Sequence, residues 1–504
     1  MSLTGFDSEA VGFDSISQDS GTNRSSSSQT TEFSESGAGS QTNASNDMGS
    51  IVYPEDLNAE EDVLKEYPPP GLNEFLRRVV PAMMDQLDQN YKESQLLNDS
   101  SDSDEEEVLS ATLLQEIKLK DGSGDHQSSV LGVTWSSAGN SLAVSLGSSQ
   151  HDAWCQSAGL VKVYTLKRSE DRFVHAMDLA EKNCVSALKY HPTVAALLAY
   201  GTTSGEVVVC NLSGGCADAG ATLASPAGCH GCRRVSALRW ADAPLANTLL
   251  AMQISARGKR RGAADQVLLS SGSDGSLHAW RVEAGVRVFE SIASYSVGSA
   301  QGLAPDITCF DFVRSSPLLP ASDKAPHDVF VVGSMAGKLF LCKLAAASSD
   351  TADPAYEVLD GHATCVLSVE FCAQWPGVFA SLSMDAELRI YDVAQGAPLK
   401  VTHMDSAVSC LSWVSGGVLL LGLARGAALL RVWDACGGCV LPVGGLDGKA
   451  GVNCIAVYQS GSCRVAAGDD SGIVRVWELP VRRIKLTTHD LDLNEFVKQS
   501  SRHK

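Results

Sequence analysis

The sequence predicts an all-β chain: a seven-bladed β-propeller behind a disordered N-terminal arm and a short amphipathic helix. Two observations predict the ring. One unit recurs seven times between Val130 and Leu479. It opens on a short apolar strand, such as Val185-Ser-Ala-Leu-Lys-Tyr190 or Val235-Ser-Ala-Leu-Arg-Trp240. A small-residue strand, a turn and a β-branched strand ending at Trp, Tyr or Cys follow, as in Gly272-Ser-Asp-Gly-Ser-Leu-His-Ala-Trp280 and Gly468-Asp-Asp-Ser-Gly-Ile-Val-Arg-Val-Trp477. Such a unit cannot bury both its faces alone. It must stack on its neighbours, and seven of them close a ring.

The elements follow in order. Residues 1–66 are rich in Ser, Gly, Asn, Thr, Asp and Glu, too poor in large apolar groups to offset the entropy of ordering, and are expected to be disordered. The first ten residues carry Asp7 and Glu9 and no apolar run, which predicts no secretory signal. Pro68-Pro69-Pro70-Gly71 punctuates the chain. Residues 67–98 then hold Leu72, Phe75, Leu76, Val79, Val80, Met83 and Leu87 on one helical stripe, with Tyr91 a turn further. Pro81 either kinks this helix or opens a second one. Residues 99–107 form an acidic linker, the propeller spans 108–480, and 481–504 are a C-terminal tail.

Blade one runs from Val130 to Leu166 and blade two from Cys184 to Leu212. Blade three runs from Val235 to Val282, with an insertion at Ala256 to Ala264. Blade four is Ile307 to Leu344, blade five His362 to Val393, blade six Val408 to Ala435 and blade seven Val452 to Leu479. Either Leu109 to Lys120 or Arg483 to Thr487 supplies the outer strand that closes the ring, because an open edge invites aggregation. Gly416 to Trp433, the most apolar stretch, contains Arg425 and Arg431 and reads as two buried strands and a turn rather than a membrane span.

The 504 residues carry a net charge of −20, much of the excess acid lying ahead of the repeats. That argues against a nucleic-acid groove or an anionic membrane as the main partner; no membrane insertion is expected. The 15 cysteines are odd in number and irregularly spaced, which fits free thiols in a reducing compartment. The pairs Cys229/Cys232 and Cys436/Cys439 lie too far apart in sequence to be read as one zinc site. No nucleophile, phosphate-binding or metal-protease motif occurs, so no catalytic residue, metal or cofactor is expected. His151 beside Asp152 reads as a loop histidine, and Arg257-Gly-Lys-Arg-Arg261 as a solvated loop.

The ending Ser-x-Asp-x(5)-Trp resembles the WD-repeat family. The resemblance implies a buried hydrogen-bond network of His, Ser or Thr, Asp and Trp. Blade five offers His362, Ser383 and Asp385, with Tyr391 in place of Trp. Blade three offers Asp274 and Trp280 and no obvious His. Trp433 and Trp477 end blades six and seven; Ser204 and Ser471 stand at the Asp position of blades two and seven, and Ala336 at that of blade four. On this reading these residues are structural.

Ser28-Gln29-Thr30 and Ser40-Gln41-Thr42, with the weaker Ser17-Gln18-Asp19, resemble the anchor read by the hub light chain of dynein motors. The resemblance implies β-augmentation at that dimer's sheet edge, strengthened by avidity. The Gly71 to Tyr91 segment, the blade-one string His151-Asp-Ala-Trp154 and the last blade resemble the dynein intermediate chain family, most nearly its intraflagellar-transport (dynein 2) branch. That implies a helix lying in the groove of a roadblock-type light-chain dimer, anchored by Leu72, Phe75, Leu76, Val79, Val80, Met83 and Leu87. It further implies a propeller on the dynein heavy-chain tail, pairing with a second intermediate chain, and a place in the cytoplasm, cytoskeleton and cilium or flagellum. The alternatives are an axonemal intermediate chain, and a general WD-repeat scaffold or ubiquitin-ligase substrate receptor. Against the last, Trp433-Asp-Ala-Cys and Trp477-Glu-Leu-Pro lack the Trp-Asp-x-Arg ending.

Overall fold

The computed structural model describes residues 74–84 other than 82, and residues 109–487 other than 120–128, 149–156, 215–221, 258–264, 284, 286–287, 300–304, 314–326, 345–352 and 426–427. The chain divides into two compact units, Met1–Glu106 and Glu107–Lys504. In the first, residues 74–81 are helical and Pro81 is itself part of the run; residues 83 and 84 are helical as well.

In the second unit the described residues form seven four-stranded antiparallel sheets, the blades of a propeller. The inner strands are Ser129–Trp135, Val185–Tyr190, Val235–Trp240, Ile307–Phe312, Val366–Phe371, Val408–Ser415 and Val452–Ser460. Four of the second strands, Leu197–Thr202, Val329–Ser334, Val378–Ser383 and Val418–Leu423, are buried along their whole length, as a strand covered on both faces must be. The outer strand of blade seven is Thr112–Lys118, antiparallel to Ile473–Leu479. Of the two segments able to close the ring, the first therefore does so. Arg483 to Thr487 lies instead in a short helix, Val481–Thr487, whose Ile484 is buried.

One irregularity repeats in all seven blades. The register between the inner strand and its neighbour slips near the start of the inner strand: after Val130, Val185, Val235, Ile307, Val366, Val408 and Val452. A β-bulge frees one residue from the ladder and turns it aside. The freed residues are Leu131, Ser186, Ser236, Thr308, Leu367, Ser409 and Asn453. Where that residue is polar it can bond the next blade. Ser186 donates to the Val235 carbonyl (2.7 Å), Thr308 to that of Val366 (2.6 Å) and Asn453 to that of Val130 (3.1 Å); Ser409 does the same to Val452.

At these same four seams a glycine on the second strand faces the valine that accepts. A methyl group added at Gly201, Gly333, Gly422 or Gly468 would lie 2.4, 2.8, 3.0 or 2.2 Å from a γ-carbon of Val235, Val366, Val452 or Val130. The other seams use side chains lower on the inner strand. Thr134 accepts the Tyr190 N–H at 3.2 Å, Arg239 pairs with Asp311 at 2.8 Å, and Glu370 accepts the Trp413 N–H at 3.3 Å.

The insertion in blade three is larger than the sequence suggested. A 15-residue helix, Ala243–Arg257, leaves the inner strand at once. Asp242 Oδ1 accepts the Leu245 N–H at 3.2 Å and Pro244 occupies the first turn. Leu245, Leu249 and Leu250 are buried against a cluster that includes Phe310 and Phe312 of blade four. The apolar stretch from Gly416 forms two strands, Val418–Leu423 and Leu430–Asp434. Among the described residues no helix is long and apolar enough to cross a membrane.

Candidate functional site

Blade three carries a five-residue polar network, and its histidine is His230, which the sequence reading missed. His230 is fully buried. Its Nδ1 lies 2.9 Å from Ser276 Oγ and 3.5 Å from Asp274 Oδ1, and its Nε2 lies 2.8 Å from Ser270 Oγ. Trp280 Nε1 donates to Ser270 Oγ at 2.8 Å. With a carboxylate beside Nδ1, the imidazole proton belongs there, and Nε2 accepts from Ser270. Burial alone would raise the Asp274 carboxyl, but hydrogen bonds from His230 and Ser276 outweigh it and hold it at about 2. His278 meets His230 edge-on, with ring centroids 4.6 Å apart, and burial, then the neighbouring His230, push it down to about 4.

Blade five corrects the expected partners. His362 pairs with Glu387 Oε2 (3.0 Å) and Ser381 Oγ (2.6 Å), not with Asp385 and Ser383. Asp385 is exposed on the turn, where it takes the Ser383 hydroxyl and its own N–H meets Thr364 Oγ1 at 3.2 Å. Glu387 takes the buried place because its extra methylene reaches the ring from a position two residues further on. Arg389 holds the other oxygen of Glu387 at 3.1 Å. Tyr391 does not imitate Trp280: its hydroxyl sits at the ring tip, passes the serine and donates to the Asp360 carbonyl at 2.5 Å.

The remaining endings are simpler. Trp477 Nε1 donates to the Gly445 carbonyl at 3.1 Å, and Trp433 is buried among Leu388, Ile390 and Trp413. In blade seven the acid is Asp469, which receives the N–H groups of Ser471 and Ile473 and pairs with Arg475 at 2.7 Å. Ser204 bonds Thr202 at 2.9 Å, and Ala336 follows exposed Met335 in the blade-four turn. The buried polar side chains among them are held by hydrogen bonds within their own blades.

The 13 cysteines among the described residues are free thiols. Burial pushes Cys309 and Cys410 up to about 12. Cys229 and Cys232 share one loop of blade three, and Cys436 and Cys439 lie at a hairpin of blade six. Among the described residues no group of three or more His, Cys, Asp or Glu could hold a metal ion. A cavity of about 330 Å³ opens below blades two to four, walled by Lys189, Trp240, Leu245 and Phe312. The two charges best placed to act in it, Arg239 and Asp311, are bonded to each other.

On the N-terminal helix, Phe75 is 51% and Met83 56% exposed; Leu76 and Val80 are exposed and Val79 half-buried. Leu72 and Leu87 lie outside the described residues, as do Ser28, Gln29, Thr30, Ser40, Gln41 and Thr42, the acidic linker, and His151 to Trp154.

The family profile described as "WD domain, G-beta repeat" matches residues 441–478, which hold blade seven. The chain is 22% identical over 438 residues to cytoplasmic dynein 2 intermediate chain 2 of Mus musculus, covering 82% of this chain and 77% of that protein. The same protein of Homo sapiens aligns over 435 residues, also at 22% identity with 82% and 77% covered. The chain is thus similar to the WD-repeat dynein intermediate chains over most of its length. Among solved structures, the crystal structure of Saccharomyces cerevisiae Sqt1 superposes with a TM-score of 0.50 at 14% identity, over 74% of this chain and 100% of that one. That likeness concerns the propeller alone.

Proposed function

We propose that this protein is a non-catalytic intermediate chain of the dynein 2 motor, acting in retrograde intraflagellar transport and cilium assembly. The observation that carries the reading is the alignment with the dynein 2 chains, which runs through most of both proteins rather than one repeat. The propeller would grip the heavy-chain tail, and force and ATP hydrolysis would belong to that heavy chain. The exposed apolar side chains Phe75, Leu76, Val80 and Met83 suit the groove of a roadblock-type light-chain dimer. The Gln29 and Gln41 strings would bind the hub light chain, and the paired light chains would bring in a second intermediate chain. The protein would work in the cytoplasm, on the cytoskeleton and at the cilium or flagellum and its base.

Affinity purification of the intact chain from ciliated cells, read by mass spectrometry, tests this. Co-recovery of a dynein 2 heavy chain and both light-chain types is expected. Recovery of the chain with none of them overturns the reading. Replacing Gln29 and Gln41 by Ala and finding hub binding unchanged by calorimetry would remove the anchor role alone.

A further inference from the structure

The residue that follows the second strand of each blade opens the turn on one face of the ring. Around the ring it is Ser148, Thr203, Ser273, Met335, Met384, Ala424 and Asp470. Five of these are small or polar, so the turn itself needs no long apolar side chain. Adjacent blades four and five nevertheless carry methionines there, 63% and 69% exposed. One loop joins their surroundings. His362 donates its N–H to Gly337 of the Met335 turn at 2.9 Å, and the Met384 N–H reaches the Cys365 carbonyl at 2.9 Å. Of the nine large apolar side chains exposed on the described propeller, five belong to these two blades.

The rim is acidic. Asp306, Asp360, Asp385 and Asp405 are exposed or partly so around this patch, against exposed Arg233 and Lys338. Arg233 already faces Asp306 at 3.3 Å and Arg389 faces Asp360 at 3.7 Å, which leaves Asp385 and Asp405 the most available. Unbranched methionine adapts to irregular apolar ridges, and an acid-rimmed apolar patch selects a partner with the opposite border.

We propose that the Met335–Met384 face of blades four and five is a docking surface for a basic amphipathic helix of a protein partner. This rests on the reading of the chain as a dynein intermediate chain, under which that helix belongs to the heavy-chain tail. Helix-in-groove recognition would seat its apolar residues between the two methionines and its Lys and Arg residues on Asp385 and Asp405, with Asp306 and Asp360 sharing their charge with Arg233 and Arg389.

Two measurements on the full-length chain test it. In the affinity purification, the Met335→Ser/Met384→Ser variant should recover heavy chain at least roughly tenfold less well than wild type while keeping its light chains, the size of loss that truncated central anchors give. In calorimetry, a designed Leu/Lys amphipathic helical peptide should bind wild type, weaken roughly tenfold on the methionine variant, and lose much of its salt dependence on Asp360→Asn/Asp385→Asn/Asp405→Asn. Both methionines are exposed, so the thermal midpoint should not move. Unchanged heavy-chain recovery together with unchanged peptide affinity overturns the surface. Absence of heavy chain from the wild-type purification overturns the functional reading instead, and the peptide measurement then decides the surface alone.

Discussion

Thr308 of blade four donates its hydroxyl to the Val366 carbonyl of blade five at 2.6 Å. The bond exists because a bulge takes Thr308 out of its own ladder and aims it across the seam. The same hydroxyl lies 3.2 Å from the Gly333 carbonyl, so one side chain ties two strands of its own blade to the next blade. Ser236, at the equivalent place in blade three, bonds Ser271 of its own blade at 2.8 Å.

Thr308→Val keeps the shape and removes the donor. It should lower stability by about 1–2 kcal/mol, the cost of leaving a buried carbonyl without its partner. Ser236→Ala should cost less at the blade boundary, because that hydroxyl does not cross one. Thermal melting of both variants checks the ranking; equal losses would mean the seam bond contributes nothing of its own.

Gly468→Ala places a methyl 2.2 Å from Val130 Cγ1, where blade seven meets blade one. Overpacking of that kind costs about 1–3 kcal/mol. Val130→Ala should recover much of the loss in the double variant, since both changes act on one contact. The midpoints of the two single variants and the pair form the measurement, and strict additivity would contradict a shared contact.

The strand pattern was legible because every inner strand keeps one apolar rhythm, and a buried second strand such as Val378–Ser383 reads as a short run between turns. The polar networks were harder. His362 stands four residues ahead of Val366, whereas His230 stands five ahead of Val235, inside Gly228-Cys-His-Gly-Cys232 where the cysteines draw attention first. Glu387 was hidden because Asp385 occupies the family's position while pointing to solvent. The insertion helix did leave signals: Asp242 ahead of Pro244, then Leu245, Leu249 and Leu250 at helical spacing. They were masked by the expectation that a second strand follows the first directly.

Ser270 is the hinge of the blade-three network, accepting from Trp280 and meeting His230 on its other side. Ser270→Ala strands both groups in the core and should cost about 2–3 kcal/mol. Tyr391→Phe removes one bond, to the Asp360 carbonyl at the blade's edge, and should cost about 1 kcal/mol. Denaturant titration of the two variants side by side tests the difference, which a smaller loss for Ser270→Ala would refute.

His191 gives the propeller an acid sensitivity. Burial pushes it down to about 4, and its Nδ1 accepts the N–H groups of Thr193 and Val194 at 3.1 and 3.0 Å. The folded ring therefore refuses a proton that the unfolded chain takes up near pH 6.5. Its contribution is fully present above that pH and is lost as pH falls from about 6.5 to 4, on the order of 3 kcal/mol at most. His191→Asn keeps an acceptor for the two N–H groups without the titration, so its midpoint should fall less steeply across this window. Some slope remains from His278, pushed down to about 4 by the same burial. An unchanged slope in His191→Asn would refute the assignment.

Closure of the ring depends on a side chain that imitates a strand. Gln115, on the outer strand of blade seven, donates through Nε2 to the Phe173 carbonyl at 2.9 Å and accepts the Phe173 N–H at 2.7 Å. Phe173 belongs to the outer strand of blade one, so an amide side chain supplies the two bonds that a neighbouring backbone would give. Arg475 adds a second tie, to Glu116 of the same closing strand at 3.0 Å. Gln115→Ala removes both amide bonds and should cost about 1–2 kcal/mol. Because Thr112–Lys118 is an outer strand with only one strand partner, the loss should show first as local opening, with faster amide exchange there and on the paired residues Ile473 to Glu478 than in the inner strands. Gln115→Glu should behave nearly as badly as Ala: its carboxylate still accepts from the Phe173 N–H but meets the Phe173 carbonyl without a proton to offer. Hydrogen exchange read by mass spectrometry distinguishes this from a uniform loss of stability, and equal acceleration in all seven blades would show that Gln115 is not the clasp.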